Sequence, residues 1–216
     1  MRTDQKTGFP AQVREIFDAL RNEVTFVHGN WEAFQQLYGS PESVAALNET
    51  APGAFRLIRF IFRHEFIMAF SRITDPKATS GKENLTLKQL LHVVGEHCTD
   101  QGFLARLAIK EQAIAAHCKP IREHRNRSIG HLDLKTALNF HPDPLPDIDS
   151  AHVIEALRLV ADFMNEILGY YTSAHADFVP VVTGPARNIV QGLKEFQRLR
   201  KEEYKRQIDD LRNEGQ

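Results

Sequence analysis

The chain has 216 residues, 42% of them hydrophobic and 25% charged, enough for one sizeable globular domain with its own core. With 27 Lys and Arg against 28 Asp and Glu the net charge is -1, so no global polycation drives nucleic-acid binding and any such contact must use a local patch. Two cysteines, Cys98 and Cys118, lie in neither a CxxC nor a CxxH arrangement and make no disulfide framework, which points to a reducing cytoplasm.

Met1 to Gly8 is polar, so no secretory signal is expected. From Pro10 to Tyr38, Val13, Phe17, Leu20, Val24, Val27, Trp31, Phe34 and Leu37 recur at intervals of three and four, predicting an amphipathic helix. Gly39-Ser40-Pro41 ends it and opens a short helix through Leu47, with Ser40 as N-cap and Pro41 at the first helical position. A third helix opens at Thr50-Ala51-Pro52. There Phe55, Ile58, Phe62, Phe66, Phe70 and Ile73 form one apolar stripe, while Arg56, Arg59 and Arg63 lie off it. Those arginines, with His64 and Glu65, break the most apolar segment of the chain, Phe55 to Phe70, so it cannot cross a membrane. His64 and Glu65 read as a solvated face, or as a lining of a cleft if this helix packs beside the cationic segment described below.

Asp75-Pro76 stops the third helix, with Arg72 and Asp75 spaced for a helix-end ion pair, and Lys77 to Asn84 is expected to be a polar loop. Thr86-x-x-Gln89 is a capping box for a helix carrying Leu87, Leu90, Leu91 and Val94. A further helix from about Asp100 runs through Phe103, Leu104, Leu107, Ile114 and Cys118, with Pro120 expected to kink or split it. The prolines of His141-Pro142-Asp143-Pro144-Leu145-Pro146 predict a stiff, extended connector. Asp149 or Ser150 then caps a helix burying Val153, Ile154, Leu157, Val160, Ala161, Met164, Ile167 and Leu168. Val179 to Val182 reads as a short extended piece. Thr183-Gly184-Pro185 starts a last helix to about Asn213, amphipathic at first (Ile189, Val190, Leu193, Phe196) and charge-dense beyond, where it either pairs with a partner helix or is solvated. The expected fold class is all-α: a domain over 9–182 and a helical C-terminal extension over 183–216.

Chemistry concentrates in Arg122-Glu123-His124-Arg125-Asn126-Arg127-Ser128-Ile129-Gly130-His131-Leu132-Asp133. Guanidinium groups bind phosphate bidentately, and imidazole exchanges protons near neutrality. RNA can be cut without a metal when its 2′-hydroxyl attacks the adjacent phosphorus, given a proton-transfer group and a cation to stabilise the charge of the transition state. Arg125 and His131 supply that minimal pair; Asn126 can orient the imidazole or bind a phosphate oxygen; Arg122, His124 and Arg127 are candidate substrate-binding groups. On an uninterrupted α-helix Arg125 and His131 stand on the order of 120° apart, and His124, Arg127, Ser128 and His131 share a stripe instead. Arg125 meets His131 only if the helix loosens near Ser128-Ile129-Gly130, with Gly130 near its C-cap. A basic helix end followed by Gly is also ordinary C-capping. Ser128 has no triad partner. The ten histidines show no HExxH or i, i+4 pair, so no metal and no cofactor is expected.

Arg125, Asn126 and His131, with five residues between Arg and His, resemble the R-x4–6-H signature of the HEPN superfamily; Arg127 is too close to His131 and Arg122 too far. Phe70-Ser71-Arg72-Ile73-Thr74-Asp75-Pro76, followed by Asn84-Leu85-Thr86-Leu87 and Leu90-Leu91, resembles the helix, loop and helix of the abortive-infection U-type (AbiU-like) HEPN proteins. The resemblance runs from about Phe9 to Phe196. It implies an up-down helical bundle, a homodimer whose motif helices face each other across a shared cleft, and metal-independent cleavage of RNA by a toxin or phage-defence effector. Arg125 would stabilise the phosphate, His131 would be the general acid and base, and Asn126 would support them. An antitoxin or defence-system protein is a further implied partner. Leu132-Asp133 lacks the tyrosine two positions after the histidine that is modified in HepT-type toxins, so that regulation is not expected. The other class of reading is a noncatalytic helical module that binds RNA or protein.

Overall fold

The computed structural model describes residues 8–130, 133–138, 143–179 and 184–214. Among them the chain is all-α apart from one small hairpin: α1 (Ala11–Tyr38), α2 (Pro41–Thr50), α3 (Pro52–Thr74), β1 (Ala78–Thr79), β2 (Lys82–Glu83), α4 (Leu87–His97), α5 (Gln101–His117), α6 (Lys119–His124), a π-helical turn (Arg125–Ile129), α7 (Leu134–Ala137), α8 (Ser150–Thr172) and α9 (Pro185–Glu214). No helix among the described residues is long and apolar enough to cross a membrane.

Local chemistry sets most of the boundaries. Ser40 accepts a hydrogen bond from the Ser43 amide at 3.1 Å with Pro41 beginning α2, Asp100 caps α5 through the Phe103 amide at 2.9 Å, and Asp149 rather than Ser150 caps α8 through the His152 amide at 2.8 Å. Thr86 caps α4 by accepting from the Gln89 amide. Only half of the expected capping box forms, because the Gln89 side chain donates to Glu83 at 3.4 Å instead. Pro120 splits the long helix: α5 ends at His117 and α6 begins at Lys119.

The expected polar loop after Pro76 is a hairpin. Ala78 pairs with Glu83 and Thr79 with Lys82 around Ser80 and Gly81, which take positive φ angles of 50° and 78°. Two successive left-handed residues give a turn whose twist matches that of paired strands. Asn84 braces it by donating to the Pro76 carbonyl and the Thr79 hydroxyl.

The chain divides into two compact units, whose described residues fall within 1–28 and 64–180 for one and within 29–63 and 181–216 for the other. In the first, α5 packs on α8 and α4 on α5. Its core includes Phe17 and Leu20 of α1, Phe70 of α3, Leu87 and Leu90 of α4, Phe103 and Leu107 of α5, and Phe163 and Met164 of α8, all essentially without solvent exposure. Phe103 lies flat on Tyr170 with ring centroids 3.7 Å apart, tying α5 to α8. Ile154, expected in this core, is 50% exposed, and Phe163 and Tyr171 are buried instead. In the second unit α9 packs on α2, and Leu37, Leu47, Ala186 and Val190 form a core flanked by Phe55, Phe62 and Leu193. Gln197 extends this contact by donating to the Ala46 carbonyl and the Thr50 hydroxyl. Farther along α9, Leu199, Tyr204 and Leu211 are exposed. After Pro142 the connector is irregular from Asp143 to Asp149; His141 and Pro142 lie outside the described residues, as do 180–182 of the expected extended piece.

Candidate functional site

The cationic segment leaves α6 and changes winding at Arg125. From Arg125 to Ile129 the backbone forms a π turn, closed by a hydrogen bond from the Gly130 amide to the Arg125 carbonyl at 2.6 Å, five residues back. Such wide turns are uncommon and occur often at functional sites. Ser128 contributes locally: its hydroxyl donates to the His124 carbonyl four residues back at 2.8 Å, a competing bond that bends helices. The helix therefore loosens over Arg125–Ile129, beginning upstream of the expected Ser128-Ile129-Gly130. Gly130 is the C-cap of the turn, as expected from its position. Its φ of -73° is helical, and its value lies in lacking a Cβ, which would sit 3.2 Å from the Arg125 carbonyl oxygen and 3.4 Å from Arg125 Cδ.

Arg125 reaches across to the end of α3, where its Nη2 donates to Asp75 Oδ1 at 2.6 Å. Asp75 sits there because Pro76 disfavours helix at the residue before it, so α3 stops at Thr74. The pair is half-buried, with side chains 30% and 24% exposed, so water screens it incompletely. Arg125 Nε is buried with no hydrogen-bond partner among the described residues, leaving donor capacity on this guanidinium. The expected Arg72–Asp75 ion pair is not the one that forms: Arg72 turns back along its helix to Glu65 at 3.0 Å and leaves Asp75 to Arg125. Asp75 also lines a shallow cavity of about 310 Å³ with Glu23, Arg72, Ile73, Asn84 and Leu85.

The neighbouring cations hold this arrangement together. Arg122 donates to the Thr74 hydroxyl at 3.2 Å and the Ala115 carbonyl at 2.7 Å, clamping the residue before Asp75. Arg127 uses three nitrogens on three partners: Glu123 at 2.6 Å, the Thr136 hydroxyl at 3.2 Å and the Asp143 carbonyl at 2.8 Å. Its own carbonyl accepts from the Asp133 amide, and Asp133 caps α7 through the Thr136 amide. His124 is buried, with Nε2 donating to the Pro146 carbonyl at 2.5 Å. Arg122, His124 and Arg127 thus join the π turn to α3, α7 and the connector. Asn126, by contrast, is exposed. His131 lies outside the described residues.

Buried below the site, Cys118 has its thiol pushed up to about 12 by burial, partly countered by the Arg122 charge. The sequence singled out Arg125 but paired Asp75 with Arg72 instead of with Arg125. The aspartate stands in the segment that carried the family resemblance, which was the only available signal for it.

The AbiU2 family, one of the HEPN families, matches the chain over residues 11–191. No curated protein and no solved structure gives a significant match.

Proposed function

Because the chain belongs to the AbiU2 family of HEPN proteins, we propose that it is a metal-independent endoribonuclease serving as a toxin or phage-defence effector in the cytoplasm. The observation that carries this reading is the half-buried Arg125–Asp75 pair on the π turn, with the exposed amide of Asn126 beside it. With Nη2 anchored on Asp75 and Nε buried, the exposed part of the Arg125 guanidinium is what would meet an incoming phosphate. A restrained donor stabilises transition-state charge with little reorganisation.

In the proposed reaction the 2′-hydroxyl oxygen bonds to the adjacent phosphorus and the bond from phosphorus to the 5′-oxygen breaks. One imidazole accepts the 2′-hydroxyl proton, and an imidazolium donates a proton to the leaving 5′-oxygen. The products are a 2′,3′-cyclic phosphate and a 5′-hydroxyl. Two proton-transfer groups are needed at once, and His131 is the assigned one. A homodimer with a shared cleft supplies the second as the same residue of the other copy. Arg125 neutralises the phosphorane-like charge, and Asn126 binds a phosphate oxygen or orients the imidazole. Arg122, His124 and Arg127 support the turn that presents these groups. An antitoxin or defence-system protein that covers the cleft would silence the enzyme.

Purified protein incubated with RNA in EDTA tests the proposal. Cleavage leaving cyclic-phosphate ends, abolished by Arg125→Ala and by His131→Ala, is the expected result. Intact RNA from a confirmed dimer would instead favour the noncatalytic RNA- or protein-binding module.

A further inference from the structure

We propose that the N-terminal half of α3 carries a second RNA-binding surface, in which Arg56, Arg59 and Arg63 hold the phosphate backbone of single-stranded RNA and Phe60 offers a face for base stacking. The proposal rests on RNA being the substrate of the site above.

Residues at i, i+3 and i+7 fall within roughly 60° of arc on an α-helix, so the three guanidiniums form one row about 10 Å long. All three are exposed. No carboxylate stands between Pro52 and His64, and the first one after it, Glu65, is engaged by Arg72. Some exposed arginines elsewhere are paired, since Arg158 bridges Glu155 and Asp162 and Arg198 bridges Glu195 and Glu202. On α3 none of Arg56, Arg59 and Arg63 has an ion pair among the described residues; Arg59 lies over the Tyr38 ring, 5.8 Å from its centroid. Like charges three and four apart destabilise a helix by roughly 0.2–0.5 kcal/mol per pair. The fold bears this repulsion in a chain whose net charge is -1, and a polyanion relieves it.

The row has an apolar margin. Leu57, Phe60 and Ile61 are 58%, 54% and 56% exposed. Phe60 is four residues from Arg56 and three from Arg63, so its ring lies beside the cationic row. Guanidiniums along a backbone with an adjoining aromatic are how single strands are held without sequence preference. An acidic protein segment would satisfy the charges but has no need of the aromatic.

Binding of a fluorescent, 2′-O-methylated single-stranded RNA, measured against salt concentration, tests this. The variants are the triple Arg56→Gln, Arg59→Gln, Arg63→Gln, the corresponding triple lysine variant, and Phe60→Ala, each checked for an unchanged melting profile. For single strands each phosphate contact contributes roughly 0.7 to the salt slope, so the glutamine triple should lower it by about 2 and weaken binding at least tenfold. The lysine triple should keep the slope, and Phe60→Ala should weaken binding with the slope unchanged. Wild-type cleavage together with unaltered affinity and slope in the glutamine triple overturns this surface and leaves the nuclease reading standing. Arginine-dependent RNA binding by a wild type that never cleaves does the reverse. Displacement of the RNA by polyglutamate as readily as by unlabelled RNA assigns the row to an acidic protein and overturns the proposal.

Discussion

Arg125 and Asp75 stand 50 positions apart in the chain and meet at 2.6 Å. The contact joins the end of α3 to the start of the π turn, the two segments on which the family resemblance was drawn. A surface ion pair contributes little, but this one is half-buried and charge-assisted. Asp75→Asn removes the charge and keeps the shape, with an expected loss of roughly 1 kcal/mol in stability. RNA cleavage should fall further, on the order of 10- to 100-fold, because a misplaced catalytic group loses rate steeply. Denaturant titration beside an RNA-cleavage assay separates the two. Equal, small losses in both would show Asp75 to be merely structural.

Gly130 gives a second handle on the same guanidinium. Alanine in a helical backbone is ordinarily favoured over glycine by about 1 kcal/mol. Here its Cβ would press on the Arg125 carbonyl and Cδ. Gly130→Ala should therefore leave the melting temperature nearly unchanged while cleavage falls several-fold. A clear gain in stability with full activity would show that Arg125 gives way freely.

Acid should loosen the first unit through His28. Burial lowers its pKa below the ordinary 6.5, with Asp177 only partly opposing, and its Nε2 has no hydrogen-bond partner among the described residues. Above the ordinary value both folded and unfolded chains hold this imidazole neutral. Below it the unfolded chain takes up a proton that the folded chain refuses until its own lower pKa is reached, so stability falls across that interval. The melting temperature should drop as pH falls below about 6.5, and His28→Gln should flatten the drop.

Cys118 predicts the opposite limb. Its thiol, pushed up to about 12 by burial, stays protonated when folded, whereas an unfolded thiol ionises near 8.5. Stability is fully present below about 8.5 and is lost as pH rises toward the folded value. The alkaline fall in melting temperature should be shallower in Cys118→Ala. Since Cys98 and Cys118 are both buried, a thiol reagent at about pH 8 should label neither until the protein is unfolded.

What the sequence disclosed follows from the range of the forces involved. Ser40-Pro41, Thr86 and Asp149 announce helix starts because a cap needs only the next three residues. The apolar repeat of α1 likewise marks Val13, Phe17, Leu20 and Val24, all of them buried. Ser80-Gly81 was an equally local hairpin signal that went unread. Arg72 and Asp75 show the limit: spacing alone pairs them, yet Glu65 and Arg125, brought in by the winding of α3 and by tertiary packing, displace both partners. The π turn leaves still less trace, since Arg125 and Gly130 at its ends keep helical backbone angles and what marks it is which carbonyl the Gly130 amide finds.

The long interval between Asp75 and Arg125 also orders events in time. A chain emerging from the ribosome presents Asp75 first and completes α4 and α5 before the guanidinium is made. The pair then closes a loop of some fifty residues, an entropic demand met only by the packing of those intervening helices. Until synthesis and packing are finished, the Arg125 guanidinium has no anchor, so under the proposed function a nascent or partly folded molecule would be disarmed.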